Sequence, residues 1–123
     1  MNMLNSLILE GNVVDGLSSI PDCSIGGKDF GIEVIRYYKK ADGEMIEDKS
    51  YFRVEIYGNM TDEKFTKNIY VGRGIRVVGR LKQKRWKDEE GKLHSRIVVI
   101  AEHIEFKNKI CDKKSIEPSD MVF

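Results

Sequence analysis

The chain has 123 residues, a formal net charge of +1, 41 % hydrophobic residues and 33 % charged residues. That length suits one domain with a core of its own and is too short for two, and no apolar run approaches the length of a membrane span. Near-neutral charge argues against coating a polyanion by bulk electrostatics, so an anionic partner is met, if at all, through local charge. Cys23 and Cys111 lie far apart and neither belongs to a CxxC pair, which points to reduced thiols and not to a disulfide or a zinc site. The opening MNMLNSLILEGN lacks the basic start and small-residue cleavage site of a secretory signal, and a cytoplasmic location is expected from that.

The first element is a strand over 5–14. Leu7, Leu9, Gly11 and Val13 alternate with Ile8, Glu10, Asn12 and Val14, and the glycine in the middle admits a bend or bulge. Residues 15–29 carry Asp15-Gly16, Pro21 and Gly26-Gly27 and read as a long first loop. Phe30, Ile32 and Val34 then alternate with Gly31, Glu33 and Ile35 in a second strand ending in Arg36, Tyr37, Tyr38, Lys39 and Lys40. Ala41-Asp42-Gly43-Glu44 supplies the Asp-Gly chemistry of a hairpin turn. The return strand, 49–57, sets Phe52, Val54 and Ile56 on one face and Tyr51, Arg53, Glu55 and Tyr57 on the other. Two tyrosines bracketing an arginine on the solvent side are either rings packed flat on an open sheet or platforms for a flat ligand. Gly58 and Asn59 break the strand. Thr61 before Asp62 and Glu63 has the composition of a helix start, expected to run to about Ile69.

The fourth strand is the most informative stretch. From Lys64 to Lys87 there are nine cations and no Asp or Glu, while acids gather at Asp42–Asp48 and Asp88–Glu90. Ile75, Val77, Gly79 and Leu81 alternate with Arg76, Val78, Arg80 and Lys82, an apolar underside beneath a mostly cationic upper face. The strand then runs into Lys84, Arg85 and the sole tryptophan, Trp86, just before an acidic turn at Asp88–Gly91. A charge run alone is more often a solvated face. A flat ring at a hairpin tip beside cations, however, suits a polyanion with stackable bases. In the last strand, 95–106, Ile97, Val99 and Ala101 share one parity and Ile104 and Phe106 take the other, so a bulge is expected near Glu102-His103. Beyond Lys107 the periodicity is lost, and 108–123 read as a weakly ordered tail.

Five strands, a long first loop and one short helix between the third and fourth strands are the layout of an all-β, five-stranded Greek-key barrel, the OB-fold, over 1–107, followed by a short C-terminal tail. In that fold nucleic acid is met by the face of strands two and three and by the loops after strands one and four. The tyrosines and the Arg85-Trp86 tip fall at those places.

Four segments, NSLILEGN, KKADGEM, YFRVEIYGN and VGRGIRVVGRLKQKRWKDEEGK, resemble in order and spacing the bacterial single-stranded DNA-binding protein family over about residues 5–106. The resemblance implies a homotetramer that binds and protects single-stranded DNA during replication, recombination and repair, with no cofactor. Carried over by position, the family's stacking aromatics correspond to Tyr38 (with Tyr37 adjacent), Tyr51, Tyr57 and Trp86. Its phosphate contacts correspond to Arg36, Lys39, Arg53, Arg73, Lys82, Arg85 and Lys87. Three of the four rings are tyrosines where the best-known members have tryptophan or phenylalanine, which implies less stacked area and lower affinity. Members also end in a Gly- and Gln-rich linker and an acidic tip that docks replication and repair proteins. Here the linker is almost absent, and Asp120, Met121, Val122 and Phe123 are either a reduced docking tip or an ordinary frayed end.

Two rival classes remain at this level. An enzyme needs a constellation, and His94 and His103 stand apart with no nucleophile motif beside them, reading as plain sheet residues. Gly72-Arg73-Gly74 precedes a strand, so it is not a phosphate cradle on a helix. The other rival is an OB-fold module that binds RNA or a protein partner, which would keep the basic strand but has no need of aromatics on two strands and a tip.

Overall fold

The computed structural model describes residues 2–20 and 26–108. The elements in order are β1 (Leu7–Ser19), β2 (Lys28–Lys39), β3 (Met45–Ile56), a 3-10 turn (Gly58–Thr61), α1 (Glu63–Thr66), β4 (Gly74–Lys87) and β5 (Leu93–Lys107). The strands close into a barrel in the order β1-β2-β3-β5-β4. All neighbours are antiparallel except β3 and β5, which meet in parallel at Val54 with Val99 and Glu55 with Ile100. Closure of five strands in this order is the OB-fold expected from the sequence, and it leaves the barrel itself without a free edge.

Alternation fills the interior. Phe30 and Ile32 of β2, Val54 and Ile56 of β3, Ile75 and Val77 of β4 and Val99 and Ala101 of β5 are all buried in one cluster with Val13, Ile69 and Ile104. Truncating a ring such as Phe30 to alanine would cost about 3–5 kcal/mol through lost transfer energy and the cavity left behind. The short helical segment closes one end, with Phe65 packed on Phe106 at 5.1 Å between ring centroids. Gly11 sits where β1 passes from β4 to β2, since its register partners are Ile75 and, one residue on, Asn12 pairs with both Gly74 and Glu33. A Cβ at Gly11 would lie 2.1 Å from the Glu33 carbonyl oxygen, so only glycine allows this crossing.

Several boundaries differ from those read off the sequence. The long first loop is mostly strand: β1 runs on to Ser19 and β2 begins at Lys28, with register shifts between Val13 and Asp15 and between Asp15 and Ser18. Asp15-Gly16 is therefore accommodated by bulges that keep the ladder paired, and the Ile20 N–H still donates to the Gly27 carbonyl at 3.0 Å. The helix ends at Thr66, short of Ile69, and Thr61 does not cap it. The Thr61 hydroxyl instead donates back to the Gly58 carbonyl at 2.7 Å, tightening the 3-10 turn. Leu81 was expected on the apolar underside but is 46 % exposed, since β1 pairs with β4 only as far as Gly79 and no longer flanks it there. The bulge near Glu102-His103 is present: Val78 faces His103 while Gly79 faces Ala101, leaving Glu102 as the extra residue.

Cys23, Cys111, Pro21 and the tail over 109–123, including Asp120, Met121, Val122 and Phe123, lie outside the described residues. Among the described residues no helix is long and apolar enough to cross a membrane, and no cluster of His, Cys, Asp and Glu has the makings of a metal site.

Candidate nucleic-acid interface

Residues opposite one another on paired strands project to the same side, as does every second residue along a strand. Glu33 faces Tyr51 and Gly31 faces Arg53, so Tyr51, Arg53 and Glu55 share the outer side of β3. Across the parallel seam Glu55 is level with Ile100, and Ile100, Val98, Arg96 and His94 oppose Arg80, Lys82, Lys84 and Trp86. One outer surface therefore runs from Tyr51 across β5 to Trp86. An ion pair between the Lys84 ammonium and the Glu55 carboxylate bridges it from β4 to β3.

Trp86 is 46 % exposed. Its ring stacks on His94 at 5.6 Å between centroids and 20° between planes, and the Arg96 guanidinium carbon lies 6.0 Å from its centroid. Asp88 braces this tip, accepting from the Glu90 and Lys92 N–H groups at 2.9 Å each and lying 2.7 Å from His94 Nε2. The hydrogen bond with His94, with help from those backbone donors, holds the Asp88 carboxyl below the usual carboxylate range. Ile20, Lys84, Trp86 and Arg96 line an open depression of about 370 Å³. Tyr57 adjoins it through Ile20: a Cβ on Gly27 would meet the Tyr57 ring at 2.2 Å and the Ile20 Cδ1 at 2.9 Å. Gly27 is thus the bare backbone on which this tyrosine lies.

On the other side of the same surface, a smaller depression of about 210 Å³ is lined by Val14, Asp15, Gly31, Tyr51 and Arg53, among others. Tyr51 is 63 % exposed beside it. Arg53 lies across Gly31 and reaches Asp15 at 2.5 Å and Asp29 at 3.0 Å, tying β1, β2 and β3 together. Its guanidinium is engaged by two carboxylates.

The remaining expected residues divide by side and by end. Register places Tyr37, opposite Glu47, on the side of Tyr51, and places Tyr38 and Arg36, opposite Ile46 and Asp48, on the other side. Tyr37 is nevertheless buried, while Tyr38 is 42 % exposed. Lys39 is exposed near the β2–β3 turn. Lys82 shares the side of Trp86, whereas alternation turns Arg85 and Lys87 to the opposite side of the tip. Arg73 stands just ahead of β4, at the far end from Trp86, its guanidinium 5.6 Å from the Tyr70 ring and 5.2 Å from that of Phe106. Arg76, nominally part of the cationic face, is occupied by Glu10 at 2.6 Å and Glu105 at 3.2 Å.

Sequence reading missed His94 and Arg96 at this candidate site, and it named Lys84 at the tip without counting it among the phosphate contacts. A signal was there: counting outward from the Asp88–Gly91 turn pairs Trp86 with His94 and Lys84 with Arg96. It also took Glu55 for a solvent-side residue, but Glu55 is fully buried, because Lys84 and the Tyr57 hydroxyl, which donates to Oε1 at 2.6 Å, close over it.

The profile of the single-strand binding protein family matches residues 4–107. The chain is 35 % identical over 81 residues to a single-stranded DNA-binding protein of Aquifex aeolicus, covering 66 % of this chain and 54 % of that protein. It is 29 % identical over 118 residues to one of Helicobacter pylori, covering 94 % of this chain and 63 % of that protein. It therefore spans between about half and two-thirds of the length of these curated relatives. Among solved structures, an SSB of Plasmodium falciparum in complex with ssDNA aligns at a TM-score of 0.73 and 17 % identity over 88 % of this chain and 98 % of that one. A small single-stranded DNA-binding protein from Streptomyces coelicolor aligns at 0.64 and 21 % identity over 87 % and 96 %. At such identities the structural likeness speaks for the fold. The family profile, by contrast, takes in nearly every described residue and every strand, and on that ground the chain belongs to the single-strand binding protein family.

Proposed function

We propose that this chain binds and protects single-stranded DNA with little sequence preference, in replication, recombination and repair, as a binding protein and not as an enzyme. The observation that carries the reading is the shared surface: Tyr51 and Trp86 stand on one side of β3 and β4 across β5, with Tyr57 adjoining the Trp86 depression, Arg96 against the tryptophan and Lys82 further along the same side of β4. Bases stack on the rings while cations follow the phosphates. Every base has a flat face, so such contacts tolerate any sequence, and for single-strand-binding barrels, this family included, each is worth about 1–3 kcal/mol. Duplex DNA competes poorly because its bases are already stacked on one another.

Assembly as a homotetramer, a cytoplasmic location and docking of replication and repair proteins through Asp120–Phe123 belong to the same reading. What supports assembly is the apolar N-terminal flank of β1, where Met3, Leu4 and Ile8 are 96 %, 95 % and 66 % exposed. The test of the DNA reading is competition: labelled oligo-dT bound to the protein should be displaced by unlabelled single strands of any composition and not by the matching duplex. Equal displacement by duplex would count against it.

A further inference from the structure

Glu55 is an anion set beneath the surface just described. It has no exposed area, and a carboxylate so placed persists only with close partners. One of its oxygens accepts the Tyr57 hydroxyl at 2.6 Å, and the other is ion-paired with Lys84. Lys84 comes from β4, so the pair reaches over β5, which lies between β3 and β4. Lys84 also shares the side of Trp86 and lines the same depression. By position it stands, with Arg96, where it could meet a phosphate next to a base stacked on Trp86. Yet giving its charge to a phosphate would leave Glu55 buried and uncompensated.

We propose that Glu55 withholds Lys84 from the DNA backbone, and so sets both the affinity and the salt response of the Trp86 face. The inference rests on the single-strand reading above and deepens it. A lysine strengthens binding with salt dependence when it releases a mobile counterion on meeting a phosphate. The counterion of Lys84 is fixed in the protein. Lys84 is thereby silent in the salt titration, and the face binds more weakly than its cations alone would indicate.

The test compares the wild type, Glu55→Gln and Glu55→Gln/Lys84→Met by anisotropy of labelled oligo-dT over a series of salt concentrations. Glutamine keeps the shape and an acceptor for Tyr57 but frees Lys84. Glu55→Gln should bind roughly three- to tenfold more tightly at low salt, with a log–log salt slope steeper by about 0.7. The double variant should return to the wild-type slope. A purely structural role for Glu55 would move thermal stability without moving that slope, so an unchanged slope in folded Glu55→Gln overturns the inference. So does a steeper slope that survives loss of Lys84. Should Glu55→Gln not fold, the wild type decides by NMR: the Lys84 ammonium signal should be the same with and without DNA, and a shift as large as that of Lys82 overturns the inference. Absence of oligo-dT binding by the wild type would remove the single-strand reading itself and this inference with it, whereas wild-type binding with an unchanged slope in the variant removes only the role of Glu55.

Discussion

At the start of β4 the Arg73 guanidinium lies against Tyr70 and Phe106, and near the far end the Arg96 guanidinium lies against Trp86. The two clusters share a chemistry, a cation over an aromatic face, and stand roughly 40 Å of strand apart. Their surroundings differ. Arg73 is half-buried, donates to the Tyr70 hydroxyl at 3.0 Å, and packs on a ring that itself plugs the barrel through Phe65. Trp86 projects from a hairpin beyond the barrel and shares its side with exposed Tyr51 across the sheet. On the proposed reading, a cation beside a ring is no mark of a binding site by itself. Membership of a common open surface is what separates the second cluster from the first.

That contrast breaks most readily at the rings. Trp86→Ala should weaken oligo-dT binding roughly tenfold or more, the loss of one stacking platform, while Tyr70→Ala should change it less than twofold; equal losses in a binding titration would erase the distinction. Next come the cations. Arg96→Ala should lower affinity several-fold and reduce the salt slope by about 0.7. Arg73→Ala should leave the slope unchanged and cost about 1 kcal/mol of stability through lost packing on Phe106, visible in denaturant melts. Arg76→Ala should alter affinity less than twofold, since Glu10 and Glu105 already neutralise that guanidinium.

The smallest effect expected is of pH. The Arg76 guanidinium beside Glu10 and the His94 ring beside Asp88 hold both carboxyls below their ordinary range. A carboxylate with a depressed folded value contributes stability above its unfolded value and loses it as pH falls through the folded one. These two groups should therefore leave the thermal midpoint flat from pH 5 to 8 and lower it only in acid below the usual carboxylate range. Glu10→Gln should blunt that acid-side fall.

Much of this was legible in the residues, for reasons that also explain the failures. The switch of apolar parity between Ala101 and Ile104 can be met only by an extra residue, so the bulge at Glu102 was readable. Asp88 and Gly91 marked a turn, and a turn dictates what faces what, which is how Trp86 comes to lie on His94. Asp15-Gly16 has the same turn chemistry, but there the strand bulges and continues, since neighbouring strands on both sides keep it paired. Periodicity told which side of β3 Glu55 takes. It could not tell that a lysine from two strands away would cover that side. Nor could adjacency tell Tyr37 from Tyr38: the register turns Tyr37 to the side of Tyr51, where it is buried, and leaves Tyr38 exposed on the other side.

The central claim, that an open aromatic surface on this barrel holds unpaired bases, is tested most directly by the protein's own sole tryptophan. In a fluorescence titration, Trp86 emission should be strongly quenched by oligo-dT at stoichiometric ratios and left nearly unchanged by the matching duplex. Unquenched emission in the presence of bound single strand would contradict the account, because the ring would then be taking no base.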